Sequence, residues 1–169
     1  MAVVTLKGSL NMTDIDATPR VLSDPGHAGG AVRTWIDTVE VGAADTASST
    51  YLMARLPSNA VILPTSTVYW DDLTTTGSPT VDVGVFNLSG KSDFTDDPDA
   101  LSNGHDVTAA GSGAMITQGA SISSYGIPLW DHINGVTTDP KTDVDIKLKL
   151  VDANVVGGGS MSVVIYYTE

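Results

Sequence analysis

The sequence predicts an all-β protein, a single antiparallel β-sandwich of the jelly-roll type. About eight short segments alternate apolar and polar residues or are rich in Val, Ile, Thr and Tyr, and each is bounded by Gly, Pro, Asn or Asp. Eighteen of the 20 acidic residues are Asp, which suits turns, and only two are Glu, which suits helices. Because 169 residues is the usual size of one domain, we expect residues 1–169 to form one sandwich.

The predicted strands follow one another along the chain with turn residues between them. They cover residues 2–7, 32–41, 50–56, 60–70, 80–87, a weaker pair at 106–109 and 115–122, and then 143–151 and 160–168. Only IPLWDHING, residues 127–135, suggests a helix, because Pro128 suits its first position and Gly135 its end. We interpret Trp130 in that turn as core packing.

The stretch TVDVGVFN, residues 80–87, has a glycine inside a strand pattern. Gly84 therefore predicts a β-bulge or a close backbone approach. Residues 93–106 follow it and contain five aspartates, which we interpret as an exposed, turn-rich connection. A calcium site is the weaker alternative, because the spacing of an EF-hand loop is absent and Pro98 interrupts the run.

The last 27 residues predict a β-hairpin at the carboxyl end. Two alternating runs, residues 143–151 and 160–168, flank the glycines at 157–159. Two such runs around a Gly-rich turn are typical of antiparallel neighbours. We therefore expect these strands to pair with each other.

Residues 9–30 have no sustained hydrophobic period and are longer than most loops of compact domains. Their apolar side chains would be exposed unless a neighbour covered them, so the sequence predicts an extended N-terminal arm that contacts a neighbouring subunit. Arg20 is a rare cation on an acidic chain, and Arg33 and Trp35 follow where the arm meets the first strand of the body. The predicted contact residues are Met12, Ile15, Arg20, Val21, Leu22, Arg33 and Trp35.

The composition excludes several classes of function. The chain has no cysteine, so it has no disulfide, thiolate nucleophile or Cys-ligated metal. Its formal charge of −12 disfavours nucleic acid as a partner. No stretch is long and apolar enough for a membrane helix, and the N-terminus lacks a signal peptide pattern, so we expect no membrane partner.

The sequence also lacks a recognisable catalytic motif, so we expect no enzyme activity and no cofactor. His27, His105 and His132 are scattered and do not have the spacing of a metal site. No GxSxG, Walker or GxGxxG motif is present. Paired carboxylates for glycoside hydrolysis are not excluded, because a sheet can bring any two acids together.

Two interpretations remain after these exclusions. The first is a structural or assembly subunit. The second is a carbohydrate- or receptor-binding module, in which exposed Tyr and Trp would stack on sugar rings. Aromatic residues make up only 6% of the chain and mostly fall within strand patterns, where core packing explains them. The structural interpretation is therefore preferred.

An ordered series of short sequence stretches supports the interpretation as a structural subunit. The chain contains TVEVGAADTASSTYLMARLPSNAVIL, then TVDVGVFN followed by DPDALSNGHDV, then IPLWDHINGVTTDP, and finally DVDIKLKL and GGGSMSVVIYY. In this order the patches resemble small virion structural proteins of tailed bacteriophages, of the capsid decoration or cement type. The resemblance runs over most of the chain.

The resemblance implies a function and a set of partners. It implies a homotrimer that binds the outer face of the major capsid protein lattice and stabilises the head, with no catalytic role and no cofactor. It implies a location on the capsid exterior of a virion, after synthesis in the host cytoplasm. A tail protein, a head–tail accessory protein and the base of a head fibre are the alternatives within the same class.

Overall fold

The computed structural model of the chain describes residues 17–19, 30–74, 77–118 and 122–169. Two antiparallel sheets pack face to face as a β-sandwich. In the described residues, nine strands form them: β1 Arg33–Val41, β2 Thr50–Pro57, β3 Val61–Ile62, β4 Thr67–Trp70, β5 Thr80–Phe86, β6 Asp97–Asp106, β7 Gly111–Ala114, β8 Asp143–Val151 and β9 Gly159–Thr168. The predicted all-β sandwich is confirmed.

The strand order is that of a jelly roll. One sheet has the order β1-β9-β4-β7, with the short β3 also paired to β9, and the other has the order β2-β8-β5-β6. Most connections cross from one sheet to the other, as they do when two Greek keys form one sandwich. Consequently β1 and β2 are the edge strands on one side of the sandwich, and β7 and β6 are the edge strands on the other.

Alternation along each strand places one face of each sheet in the core. In β9, Met161, Val163 and Ile165 are buried, and in β8 the side chains of Val144, Ile146 and Leu148 face them from the other sheet. The apolar area removed from water by such side chains stabilises the fold at roughly 25 cal/mol per Å². The alternating patterns in the sequence therefore report correctly which side chains are inside.

Gly84 in β5 is a point of close backbone approach, as predicted. A Cβ atom added at this residue would lie 2.3 Å from the carbonyl oxygen of Pro98 in β6. The register between β5 and β6 shifts on both sides of Val83. Only glycine leaves room for the irregular crossing of these two strands.

The predicted C-terminal hairpin is wrong. β8 pairs with β2 and β5 in the four-stranded sheet, whereas β9 pairs with β1, β3 and β4 in the other sheet. Residues 152–158 cross between the sheets, and there Val155 is buried while the Gly157 N–H donates to the Leu73 carbonyl. The glycines therefore mark a crossing loop, because alternation specifies a buried face and does not specify which strand is the neighbour.

The predicted strand boundaries need three further corrections. Residues 97–106 are a ten-residue strand, β6, and not an exposed connection, because Ala100, Leu101 and Ser102 are buried against β5. The predicted strand 60–70 is two strands, β3 and β4, separated by a turn in which Ser66 N–H donates to the Leu63 carbonyl. In the predicted strand 115–122, the described residues 115–118 are not a strand, and a 3-10 turn spans Ile122–Tyr125.

The predicted helical turn is present as α1, Leu129–His132. Pro128 precedes it, and Leu129 and Ile133 enter the core while Trp130 is only half-buried. The predicted strand 2–7 and most of the predicted arm, residues 9–30, lie outside the described residues. Within the described ranges, no helix is long and apolar enough to cross a membrane.

Candidate interaction surface

Among the described residues, no strand pairs with the outer side of β1, so one row of its backbone groups has no strand partner there. On β9, the Tyr166 carbonyl accepts from Leu63 N–H and the Tyr166 N–H donates to Ser66 Oγ, so the even-numbered groups of β9 face β3 and β4. Its odd-numbered groups therefore face β1, and their partners there are the odd-numbered residues. The peptide groups of Thr34, Ile36, Thr38 and Glu40 consequently point away from the sheet.

Both faces of β1 are largely open to solvent. Six consecutive residues, 33–38, are exposed, and only Val41 at the far end is buried. The exposed fraction of Ile36 is 67% and that of Trp35 is 37%. Val32, just before the strand, and Leu52 on the neighbouring β2 are also exposed large apolar residues. We call β1 together with Val32 and Leu52 the β1 edge.

Trp35 connects the two sheets at this edge. Its Nε1 donates a 2.8 Å hydrogen bond to the carbonyl oxygen of Met53 in β2. The β2–β8 register shifts between Leu52 and Ala54, so Met53 is an inserted bulge residue. The bulge frees the carbonyl that the indole uses, which holds the Trp35 ring across the open end of the sandwich.

Two charged side chains flank Trp35 on the same face of β1. Arg33 forms an ion pair with Glu169 and keeps a side chain that is 57% exposed. The Asp37 carboxylate accepts a 2.8 Å hydrogen bond from the outward-pointing N–H of Thr38. This contact covers one of the unpaired amides, a usual way of protecting an edge strand.

The outer faces of the two sheets differ in charge. Apart from Glu40 at the end of β1, the outer face of the five-stranded sheet is built from uncharged side chains over most of its width: Thr34, Ile36, Thr38, Thr67, Tyr69, Ser162, Val164 and Tyr166. The outer face of the four-stranded sheet carries charges of both signs: Arg55, Asp82, Asp145, Lys147 and Lys149. On a chain of formal charge −12, the uncharged face beside β1 is the one that another acidic protein approaches with least repulsion.

The carboxylates of Asp96 and Asp97, after β5, accept hydrogen bonds from amide donors. The Asn87 side chain organises the loop, since its Oδ1 accepts from the Asp93 N–H and its backbone N–H donates to Asp96 Oδ1, both at 2.8 Å. Farther along, the Asp97 carboxylate accepts from the Asn134 N–H. Burial raises the pKa of Asp97 above its ordinary value, and this N–H opposes the rise. These carboxylates act as structural acceptors.

The described part of the chain contains no candidate metal site. No group of three or more His, Cys, Asp and Glu side chains there could hold a metal ion. His105 packs on Trp70, with ring centroids 5.2 Å apart, and its Nε2 contacts Ser102 Oγ at 2.8 Å. Burial lowers the pKa of His105 and of His132, so both rings are neutral packing groups near pH 7.

Comparisons with known proteins give matches among solved structures alone. No protein-family model matches the sequence, and no curated protein matches it. A chain in the capsid of Ralstonia phage GP4 is 20% identical with a TM-score of 0.61, over 83% of this chain and 85% of that one. A chain in the capsid asymmetric unit of cyanophage Pam1 is 17% identical with a TM-score of 0.54, over 90% and 96%.

The chain therefore has a fold found in phage capsids. Because the matched shares of the two chains are nearly equal in each comparison, both counterparts have about the length of this chain. Identities this low establish the fold, and they leave the role of this chain to be argued from its own surface.

The structure gives the positions of two of the predicted contact residues, and their contact role stays a prediction. Met12, Ile15, Arg20, Val21 and Leu22 lie outside the described residues. Arg33 and Trp35 lie on β1, two residues apart and on the same face. The sequence reasoning missed Ile36 and Leu52, because an exposed apolar residue in an alternating run looks like a core residue until the partner strands are known. The one sequence signal for an exposed apolar side chain was that residues 32–36 carry apolar residues on both faces of the predicted strand.

Proposed function

We propose that the chain is a structural protein of a tailed-bacteriophage virion, a decoration or cement protein that binds the outer face of the major capsid protein lattice and stabilises the head. The observation that carries this proposal is the match to two chains of similar length and fold, each part of a phage capsid. The role requires no catalysis and no cofactor.

The charge of the chain supports an exterior position. Packaged DNA fills the interior of a head, and a subunit of formal charge −12 facing it would be repelled by the phosphates. On the outer surface the same charge keeps the particle soluble. We therefore propose the capsid exterior as the location, with neither nucleic acid nor membrane as a partner.

The β1 edge supports an assembly role. It combines unpaired backbone groups with exposed apolar side chains, a combination that a stable subunit normally covers. We propose that residues 9–30, Arg33 and Trp35 contribute to contacts with the capsid protein or with neighbouring copies. The homotrimer is proposed from the family resemblance, and closed symmetry is the usual way in which identical subunits cover their edges.

A carbohydrate- or receptor-binding module is the second candidate. The aromatic ring of Tyr69 is 46% exposed, and a shallow groove beside it is lined by Asp71, Ser160 and Ser162. An exposed aromatic face next to hydroxyl and carboxylate groups is suited to a sugar ring. Binding of the purified protein to a glycan array, lost in Tyr69→Ala, would favour this candidate. A tail or head–tail accessory position is the third alternative.

Reconstitution on phage heads tests the first candidate. Heads of the phage that encodes this chain, assembled without it, are mixed with the purified protein and sedimented. We expect saturable binding at many equivalent sites and release of DNA at a higher temperature than from bare heads. A chain lacking residues 9–30 is the matched variant, and its folding is checked by circular dichroism. No binding of the full chain at micromolar concentration would overturn the proposal.

A further inference from the structure

We propose that the β1 edge pairs with the β1 edge of a second copy, antiparallel, about a two-fold axis that passes through Trp35. This pairing is a contact between neighbouring copies of the proposed decoration protein. Only its place on a phage particle rests on the proposed function. In a trimer the contact joins copies that belong to different trimers, because an isologous pair has two-fold symmetry.

The backbone of β1 allows this register. When Trp35 lies opposite Trp35, Thr34 lies opposite Ile36 and Val32 lies opposite Thr38. Thr34, Ile36 and Thr38 all direct their peptide groups away from β9, so they meet as hydrogen-bonded pairs. Strand addition of this kind pairs backbone groups that have no strand partner among the described residues.

The charges of β1 select this register from its neighbours. Arg33 and Asp37 lie two residues on either side of Trp35 and on one face, so antiparallel pairing places each Arg33 opposite Asp37 of the second copy. A shift of two residues toward the C-terminus places Trp35 opposite Asp37. A shift of four residues places the two Asp37 carboxylates opposite each other, which is repulsive between chains of charge −12.

The apolar side chains of the edge favour the same contact. Val32, Trp35 and Ile36 are 59%, 37% and 67% exposed, and all three fall inside the paired segment 32–38. The uncharged outer face beside β1 continues from one copy to the other. The Asp37 carboxylate, which covers the Thr38 N–H in the single chain, becomes the partner of Arg33. A single strand pair is weak alone and gains strength from the high local concentration on a particle.

Disulfide trapping tests the register directly. The chain has no cysteine, so introduced thiols are the only ones. Positions 33 and 37 form a non-hydrogen-bonded pair, in which Cα atoms lie about 4.5 Å apart, within reach of a disulfide. An equimolar mixture of Arg33→Cys and Asp37→Cys is oxidised without particles, and a mixture of Thr34→Cys and Thr38→Cys, which reports the shifted register, is the control.

We expect a covalent dimer that links positions 33 and 37, at a yield at least about tenfold above that of the control mixture and of each variant alone. A yield no higher than the control would overturn the proposal. So would a higher yield in the control mixture.

Exchange of the charges at positions 33 and 37 provides a second test, which needs no crosslink. Arg33→Asp places carboxylates opposite each other and Asp37→Arg places guanidiniums opposite each other, so each should weaken self-association at least about tenfold by analytical ultracentrifugation. The double variant R33D/D37R restores complementary pairs and the original net charge, and should restore association. Lys91→Asp, on a distant loop, controls for net charge.

The Ile36→Pro variant tests the backbone hydrogen bonds of the proposed pairing. It removes one N–H that points away from β9 and leaves the pairing of β1 with β9 in place. It should fold, by circular dichroism, and remain unassociated. If the folded variants still associate like the wild type, or if the wild type stays unassociated at millimolar concentration, the self-pairing is wrong. A third outcome is that the free protein never crosslinks and the variants no longer bind to heads. That outcome would assign the β1 edge to a contact with the capsid protein, so the self-pairing would be wrong and the proposed function would stand.

Discussion

The indole Nε1 of Trp35 donates a 2.8 Å hydrogen bond to the carbonyl oxygen of Met53, and this bond joins the edge strands of the two sheets. Met53 can accept it because β2 carries a bulge at that residue. The bond orients the tryptophan that lies at the centre of the β1 edge. Stability and interaction at this edge are therefore linked through one side chain.

Loss of this bond should destabilise the fold. Trp35→Phe keeps an aromatic ring but leaves the carbonyl of the buried residue Met53 without its donor, which costs about 1–2 kcal/mol. We expect the free energy of unfolding, measured with urea, to fall by that amount. Tyr69→Phe, at a ring that is 46% exposed on the same sheet, is the control and should change it by less than about 0.5 kcal/mol. Equal effects of the two changes would contradict a structural role for the indole N–H.

Gly84 should not tolerate a side chain. A Cβ atom there would lie 2.3 Å from the Pro98 carbonyl oxygen, so Gly84→Ala must separate β5 from β6. Overpacking of this kind costs about 1–3 kcal/mol. Gly158→Ala is the matched control, because its Cβ would meet the nearest atom at 3.4 Å. A Gly84→Ala protein as stable as the wild type in urea would show that the two strands do not approach as described.

The ion pair of Arg55 with the buried Asp145 should stabilise the four-stranded sheet. The two side chains form two hydrogen bonds, of 2.7 Å and 3.2 Å, and the Asp145 side chain is 4% exposed. Arg55→Ala leaves that carboxylate without its partner and should lower the free energy of unfolding. In a double-mutant cycle with Asp145→Ala, we expect a favourable coupling energy between the two side chains. A coupling energy near zero would contradict the prediction.

Acidification should destabilise the fold through His105. Burial lowers the pKa of His105 below 6.5, so the unfolded chain binds protons more readily than the folded chain. Stability therefore falls as the pH drops below about 6.5 and toward the folded pKa. Burial lowers the pKa of His132 as well, so His132 contributes in the same direction. Burial raises the pKa of Asp82 and Asp97, and these two carboxyls therefore make the opposite contribution to the pH dependence of stability.

The contribution of His105 is isolated by a comparison of two proteins. We expect the free energy of unfolding of the wild type to decline more steeply between pH 7 and pH 5 than that of His105→Asn. Parallel curves for the two proteins would show that the ring does not titrate differently on folding.

Calcium should leave the melting temperature nearly unchanged. The carboxylates near β6 already accept from amide donors, as Asp96 does from Asn87 and Asp97 does from Asn134. A cation that bound only the folded state would raise the melting temperature by mass action. A rise of several degrees with millimolar calcium, reversed by a chelator, would contradict the assignment of these groups as structural acceptors.

Local pattern predicted the strands well where it decided which face is buried. The predicted strand 143–151 is β8 to the residue, because Val144, Ile146 and Leu148 alternate with polar residues. The same alternation could not tell an adjacent strand from one in the opposite sheet, so β8 and β9 were paired wrongly. Strand β6 was missed because Asp97, Pro98 and Asp99 resemble a turn, and their partners become visible only in the folded chain.

The β1 edge could be anticipated only in part, for a related reason. Arg33 and Trp35 were predicted as contact residues because a cation and an aromatic follow the predicted arm, and that role stays a prediction. Ile36 could not be identified, since its exposure depends on β1 being an edge strand, a property of sheet order. The contact of Trp35 with Met53 depends on a bulge, whose position is set by the pairing of two distant strands.

Cryo-electron microscopy of the intact particle of the phage that encodes this chain tests the central proposal most directly. We predict density for the two-sheet sandwich on the outer surface of the head, at many equivalent positions, with β1 at a contact between copies or with the capsid protein. Density for the chain in the tail or inside the shell, or its absence from the purified particle, would contradict the proposed capsid decoration role.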